Sequence, residues 1–413
     1  MFVLVDCNNF FASCEILFNP KFKNKPVVIL SNNDGCVIAR SKEAKKLNIK
    51  MGDPIFRYKQ LVQSDILKVF SSNFTLYGDI SIRVMKTLET FMLPMEIYSI
   101  DEAFLYIDKE IDFFTLAKTI KEKIYKWVGI EVSIGIAKTK TLAKLANRSA
   151  KNTNGISILS DKNDLEKILK ATSIEEIWGI GSKLKKRLYQ LDIYSAYDLA
   201  KANEYLIKKN LSVNVYKTSL ELNEVKCFEC EEIQESKKSI TTSRSFAEKI
   251  DNINDLEEAI SSFVAMTSEK LRESKLKAGF MTIFVMTSPF AKDNYYSNYI
   301  NITLPIATSF TPNLISHAKN GLKKIYKEGF LYKKAGVILS NFTDESAIQE
   351  DFFTNVDDAS KKRLMKTVDE INYKSNKKTV FFGSEGIKKK YKSSSNMRSK
   401  NFTTSFDELI KVK

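Results

Sequence analysis

Apolar and polar positions recur with two periods over the first 160 residues, one suited to strands and the other to helices. The unbroken apolar run Phe2-Val3-Leu4-Val5 reads as a buried strand that ends on a carboxylate, Asp6. A helical stretch is predicted from Phe10 to Leu17, a strand from Val27 to Leu30, and helices over Ser41 to Leu47 and Tyr77 to Phe91. Short strands around Ile97 and Phe104 follow, then a helix from Phe113 to Trp127, a strand from Val132 to Ile136 and a helix from Thr139 to Ala150. Such interleaving implies a sheet covered by helices. From 161 to 235 the pattern is helical throughout. Strand-like runs then appear at Ser239 to Phe246, Phe280 to Thr287, Tyr299 to Leu304 and Lys334 to Leu339, with helical runs at Asp255 to Ser274 and Pro312 to Lys327. Their order, β-α-β-β-α-β, fits a split βαβ unit. Past 343 an acidic stretch gives way to Lys361-Lys362-Arg363, a helix-like run to Ile371, and Lys388-Lys389-Lys390-Tyr391-Lys392. Partial order and solvated charge are expected there. The fold class is multidomain α+β.

Length and charge narrow the function. At 413 residues the chain exceeds one ordinary core, so about two to four domains are expected. Lys and Arg number 65 against 50 Asp and Glu, a net charge of +15. A polyanionic partner follows, nucleic acid ahead of membrane, because no basic amphipathic helix with an aromatic face stands out. No apolar run approaches the ~20 residues of a membrane span, and the first strand is too short and too acidic at its end for a signal peptide. A cytoplasmic protein is expected. Five cysteines, an odd number, do not suggest a disulfide framework. Cys227-x-x-Cys230 is half a zinc site, and a single histidine, His317, leaves too few ligands to complete it or to build a Ser-His-Asp hydrolase.

Chemistry concentrates in Tyr98-Ser99-Ile100-Asp101-Glu102-Ala103-Phe104. Neighbours on a regular strand point to opposite faces, so Asp101 and Glu102 aim at one point only from a hairpin tip or bulge. A cation would offset their repulsion. With Asp6 they form a three-carboxylate set suited to paired Mg²⁺, which prefers oxygen ligands and serves phosphoryl transfer. Lys140, Lys144, Arg148 and Lys151 share one face of their helix, opposite Leu142, Leu145 and Ala146; Lys140 and Lys144 are read as solvated. Ile177-Trp178-Gly179-Ile180-Gly181-Ser182-Lys183 separates two helical patterns and fits the turn of a helix-hairpin-helix element. There Gly179 and Gly181 permit backbone N–H groups to face a phosphate, and Lys183 adds charge.

Asp6-x-Asn8-x-Phe10-Phe11-Ala12-Ser13-x-Glu15 and Ser99-Ile100-Asp101-Glu102-Ala103 resemble the two catalytic segments of Y-family DNA polymerases. Further segments follow in the family's order over nearly the whole chain, and the resemblance is closest to the bacterial UmuC branch. It implies a right-hand polymerase with a palm at 1–18 and 76–160, fingers at 19–75, a helical thumb at 161–235, a little finger at 236–342 and a C-terminal tail at 343–413. It also implies that two Mg²⁺ ions are held by Asp6, Asp101, Glu102 and the carbonyl of Cys7. Phe10 and Phe11 would line the nucleotide site, with Phe11 as the steric gate against a 2′-hydroxyl, and Lys151 would grip the triphosphate. In Ser41-Lys42-Glu43-Ala44-Lys45 the family's usual tyrosine and arginine are Lys42 and Lys45, so Lys45 keeps the charge without the bidentate fork. Gly179, Gly181, Lys183 and, in the little finger, Arg244 would contact DNA.

Gln349-Glu350-Asp351-Phe352-Phe353 resembles the bacterial clamp-binding pentapeptide, with Gln349, Asp351, Phe352 and Phe353 as its contact residues. The implied function is error-prone, SOS-type translesion synthesis on primed template DNA from deoxynucleoside triphosphates. The implied partners are the sliding clamp, a processed UmuD dimer and RecA. Two other readings are less favoured: the long basic extension past 160 argues against a nucleotidyl cyclase, and the intact carboxylates argue against a non-catalytic DNA-binding scaffold.

Overall fold

In the computed structural model the described residues are all but 233–235, 292–293, 347–357, 376–377, 388–390, 392–393 and 411–413. The chain forms two compact units, one of residues 1–31, 35–234 and 396–413, the other of 32–34 and 235–395.

The first unit holds β1 (Phe2–Cys7), β2 (Val27–Leu30), β3 (Val37–Arg40), β4 (Lys68–Ser71), β5 (Met95–Ile97), β6 (Glu102–Tyr106), β7 (Val132–Ala137) and β8 (Ile156–Leu159). Five of them form a sheet in the order β5-β6-β1-β7-β8, with β1 antiparallel to both β6 and β7. The central strand is unbroken in its hydrophobicity because both faces are covered. Val3, Val5 and Cys7 enter one core with Phe10, Tyr77 and Ile120, while Phe2 and Leu4 enter another with Leu142, Ala146 and Leu188. A smaller sheet, β3-β2-β4, has its own core around Val28, Leu30 and Ile49. Strands β3, β4 and β8 were not anticipated from the sequence; each has only four residues and at most one is fully buried. Residues 162–222 are helical apart from turns, as expected.

One close approach positions the site. In β7, a Cβ on Gly135 would fall 2.1 Å from the Asn147 nitrogen and 2.3 Å from the Ala143 carbonyl oxygen, so helix Lys140–Ala150 rests its backbone directly on the sheet. Asn147 fastens it there by donating to the Ser133 carbonyl at 2.7 Å. Both obstructing groups are backbone, which cannot rotate away. Gly135→Ala should therefore destabilise the first unit by at least about 3 kcal/mol, the upper part of the overpacking range. A urea-unfolding midpoint equal to that of the unchanged protein would contradict this packing.

The second unit carries β9 (Ser239–Ile250), β10 (Leu276–Thr287), β11 (Ser297–Thr308) and β12 (Tyr332–Asp344) in the order β11-β10-β12-β9, with all neighbours antiparallel. Strands β9 and β10 thus run parallel with β12 between them, the split βαβ arrangement, and helices Ile253–Glu273 and Thr311–Ile325 pack into the same core. These strands outrun the predicted ones because alternating, half-exposed residues continue them past the apolar centre. Beyond the sheet, helix Asp358–Lys374 is ordered, held by the two-pronged contact of Arg272 with Asp369 at 2.6 and 2.7 Å. Among the described residues no helix is long and apolar enough to cross a membrane.

Candidate active site

The Asp-Glu pair does occupy a hairpin. Strands β5 and β6 are antiparallel, and the N–H groups of Tyr98 and Ser99 both donate to the Glu102 carbonyl at 3.1 Å, which puts Asp101 in the turn and Glu102 at the start of β6. Glu102 lies directly across the ladder from Asp6, and the Cys7 N–H donates to the Asp101 carbonyl at 2.8 Å. Register therefore brings Asp6, Cys7, Asp101 and Glu102 to one end of adjoining strands. Helix Lys140–Ala150 and the residue after it supply the balancing charge: Lys151 Nζ is 2.8 Å from Asp6 and Lys144 Nζ is 2.9 Å from Glu102. The Asp101 carboxylate accepts from the Ser99 hydroxyl at 2.7 Å.

Burial pushes the Asp6 carboxyl up to about 7, with Glu102 adding to the rise and Lys151 opposing it. Two carboxylates facing each other in a poorly solvated corner favour a cation between them. Asp6, Asp101 and Glu102 offer only oxygen, the donor Mg²⁺ prefers, and the Cys7 thiol is buried in the core and held well above its ordinary pKa by that burial. Cys7 would thus contribute its carbonyl rather than its sulfur. The residues fit the ion, although among the described residues no three Asp, Glu, His or Cys side chains close on a single point in this arrangement, Asp101 being turned to Ser99.

One sequence expectation is corrected here. Lys140 and Lys144 are not solvated: Lys140 is buried against Glu96, and Lys144 lies 4.4 Å from the Tyr98 ring centre in addition to its bond with Glu102. The helical pattern was right, but helix Val213–Leu222 and the β5–β6 hairpin cover that face. Phe10 is 3% exposed and its ring belongs to the core. Phe11, one residue on, is half-buried and stacks flat on Tyr77, with ring centres 4.6 Å apart and planes at 16°.

Lys45 is held below its ordinary pKa by partial burial and by the positive charges of Arg40 and Lys151. Sequence reasoning passed over Arg40, whose Nε is buried without a hydrogen-bond partner; it closes β3, a strand the sequence did not signal. It gave no role to Tyr77 or to Glu15, the last residue of the first motif, a buried phenol and a fully buried acid joined by a 2.7 Å hydrogen bond.

In the helical region, Gly179 has a φ of +85°, which only glycine adopts without strain, and Gly181 precedes helix Ser182–Tyr189. No side chain caps that helix, and Lys183 is exposed. Between these glycines and the β5–β6 hairpin, the Trp178 indole N–H donates to the Tyr98 hydroxyl at 2.9 Å. In the second unit, Arg244 lies on the edge strand β9 and donates to the Ser243 carbonyl at 3.1 Å. Gln349, Asp351, Phe352 and Phe353 lie outside the described residues.

The chain is similar to known families and proteins. The impB/mucB/samB family model matches residues 5–148, that family's C-terminal domain matches 237–352 and its HHH motif matches 162–193. A domain of unknown function (DUF4113) matches 362–412. The UmuC protein of Salmonella typhimurium is 39% identical over 422 residues, covering all of both chains. DNA polymerase IV of Oceanobacillus iheyensis is 36% identical over 216 residues, 51% of each chain. Among solved structures, a Y-family DNA polymerase chimera of Dbh and Dpo4 superposes with a TM-score of 0.70 at 24% identity, covering 83% of this chain and 100% of the other. At that identity the likeness concerns the fold.

Proposed function

The chain belongs to the impB/mucB/samB family of Y-family DNA polymerases, and from that premise we propose that it carries out error-prone, SOS-type DNA synthesis across damaged templates. The observation that carries this reading is the meeting of Asp6 and Glu102 across the β1–β6 ladder, with Asp101 in the adjoining turn. These three carboxylates and the Cys7 carbonyl would hold two Mg²⁺ ions. Such a pair would supply a lowered pKa for the primer 3′-hydroxyl and stabilisation of the leaving pyrophosphate.

The remaining residues have separable tasks. Burial first, and then the positive charges of Arg40 and Lys151, depress the Lys45 ammonium; a triphosphate would relieve the repulsive part. Lys151 is 43% exposed at its side chain and reaches both Asp6 and solvent, so its ammonium can turn to the phosphates. Phe11, backed by Tyr77, presents a rigid ring that excludes a 2′-hydroxyl and so favours deoxynucleotides. Helix Ser182–Tyr189 presents uncapped N–H groups after Gly179 and Gly181, with Lys183 beside them, to a DNA phosphate; Arg244 adds a contact in the little finger.

Partner contacts rest on the residue pattern and on family membership: a sliding clamp for Gln349, Asp351, Phe352 and Phe353, and a processed UmuD dimer with RecA. A cytoplasmic location belongs to the same reading. Primer extension on damaged and undamaged templates tests the function; a purified protein that extends neither, with or without such partners, would overturn it.

Because these DNA contacts go to the backbone, affinity should fall steeply with salt and vary little with sequence. Four phosphate contacts would cost about a hundredfold between 50 and 200 mM salt. Fluorescence anisotropy with two unrelated primed duplexes measures this, and a flat salt response would remove the helical hairpin and Arg244 from the interface.

A further inference from the structure

Within the first unit, the segment just before residue 400 packs where the proposed gate is built. Strand β4 is an edge of its sheet, and the segment lies along it: the Ser71 N–H donates to the Met397 carbonyl at 3.1 Å, and the Met397 N–H donates to the Ser71 hydroxyl at 2.9 Å. Asn73 then works in two directions. Its Oδ1 caps helix Phe74–Glu89 through the Leu76 N–H at 3.3 Å, while its Nδ2 reaches the Ser399 and Lys400 carbonyls at 3.2 and 3.3 Å. Farther along, Phe402 stacks on Phe18 with ring centres 4.9 Å apart and planes at 8°.

Between these anchors a polar relay runs inward. The Ser399 hydroxyl donates to Glu15 Oε1 at 2.9 Å, and the Tyr77 hydroxyl donates to the same oxygen at 2.7 Å. Glu15 is fully buried and its Oε2 has no hydrogen-bond partner, so the carboxyl depends on the two donors that share Oε1. Tyr77 is the ring on which Phe11 lies, and Phe74, on the helix that Asn73 caps, meets Phe11 edge-on at 5.8 Å.

We propose that Arg398–Phe402 is a positioning strap that fixes the Phe11 ring through Ser399, Glu15 and Tyr77, and so sets how strictly the enzyme rejects ribonucleotides. This rests on the polymerase reading and on Phe11 as the gate. It gives a task to part of the 362–412 segment matched by a domain of unknown function. A gate excludes a single hydroxyl, and displacements near 1 Å change rates by about a hundredfold, so the ring's support matters as much as its identity. Ser399 touches no substrate; it acts through Glu15.

The test is made in the full chain. Ser399→Ala should raise the ribonucleotide-to-deoxynucleotide ratio of kcat/KM about fivefold, the effect of one hydrogen bond. The change should come mainly through a lower KM for the ribonucleotide, with deoxynucleotide kcat within about twofold and Ser399→Thr restoring the ratio. Added to Phe11→Ala, Ser399→Ala should change nothing further, because both act on one ring. If Ser399→Ala does not fold, Phe402→Leu, which keeps bulk but ends the stack on Phe18, should shift the ratio the same way. An unchanged ratio in the strap variants while Phe11→Ala relaxes selection would overturn the strap and leave the polymerase reading intact. Equal losses for both sugars would make it structural only and also overturn the proposal. An unchanged ratio in Phe11→Ala itself would instead remove the gate reading on which the strap depends.

Discussion

Asp101→Ala and Glu102→Ala should each cut primer extension by roughly a thousandfold or more, because a metal pair supplies several kcal/mol of transition-state stabilisation and each 1.36 kcal/mol is tenfold in rate. Neither change empties a core: Asp101 sits in the hairpin turn with Ser99 as its partner, and Glu102 is half-exposed beneath Lys144. The variants should therefore melt close to the unchanged protein and bind primed DNA with similar affinity. Single-turnover extension read beside a thermal melt separates lost chemistry from lost structure. Near-normal extension by both variants would sink the polymerase hypothesis, since each leaves only two of the three carboxylates to hold a pair of ions.

Phe11→Ala should raise ribonucleotide incorporation relative to deoxynucleotide by about a hundredfold, the scale on which an apolar pocket tells a hydroxyl-bearing analogue from its parent. Removing the ring opens space above Tyr77, and Tyr77 itself is fully buried and held by Glu15, so it does not move out to fill the gap. Competition between labelled nucleotides on one primed template gives the ratio directly. An active Phe11→Ala enzyme with unchanged selectivity would mean that this ring only packs helix Phe10–Phe18.

Much of this site is legible in the sequence where a local rule forces the outcome. An apolar run ending in a carboxylate reads as a buried strand, and two adjacent acids sharing a task need a hairpin tip or bulge; β1 and the β5–β6 hairpin, with Asp101 in its turn and Glu102 opening β6, match. What failed depended on distant neighbours. A helical wheel places Lys140 and Lys144 on one face, but it does not reveal that Glu96 and Glu102 wait opposite that face. Adjacent helical residues differ by about 100° in direction, and the core takes the Phe10 ring while Phe11 stays half-buried, a division that two neighbouring phenylalanines do not announce by themselves. The strap was the least legible part. Its residues are polar and short-chained, and its partner Glu15 lies 384 positions earlier in the chain.

That separation orders events during synthesis. Ribosomes add about 5–20 residues per second, so roughly 20–80 s pass between the emergence of Glu15 and that of Ser399. All five strands of the β5-β6-β1-β7-β8 sheet have been made by Leu159, so its ladders can pair early with the carboxylates in register, although one face is completed by later residues such as Leu188. Glu15 must meanwhile wait for its second donor while the rest of the chain is translated. A nascent chain, or one cut short after its second sheet, would thus carry the metal-binding corner before it carries the brace behind its gate. Nucleotide discrimination would be the last property the growing polypeptide acquires.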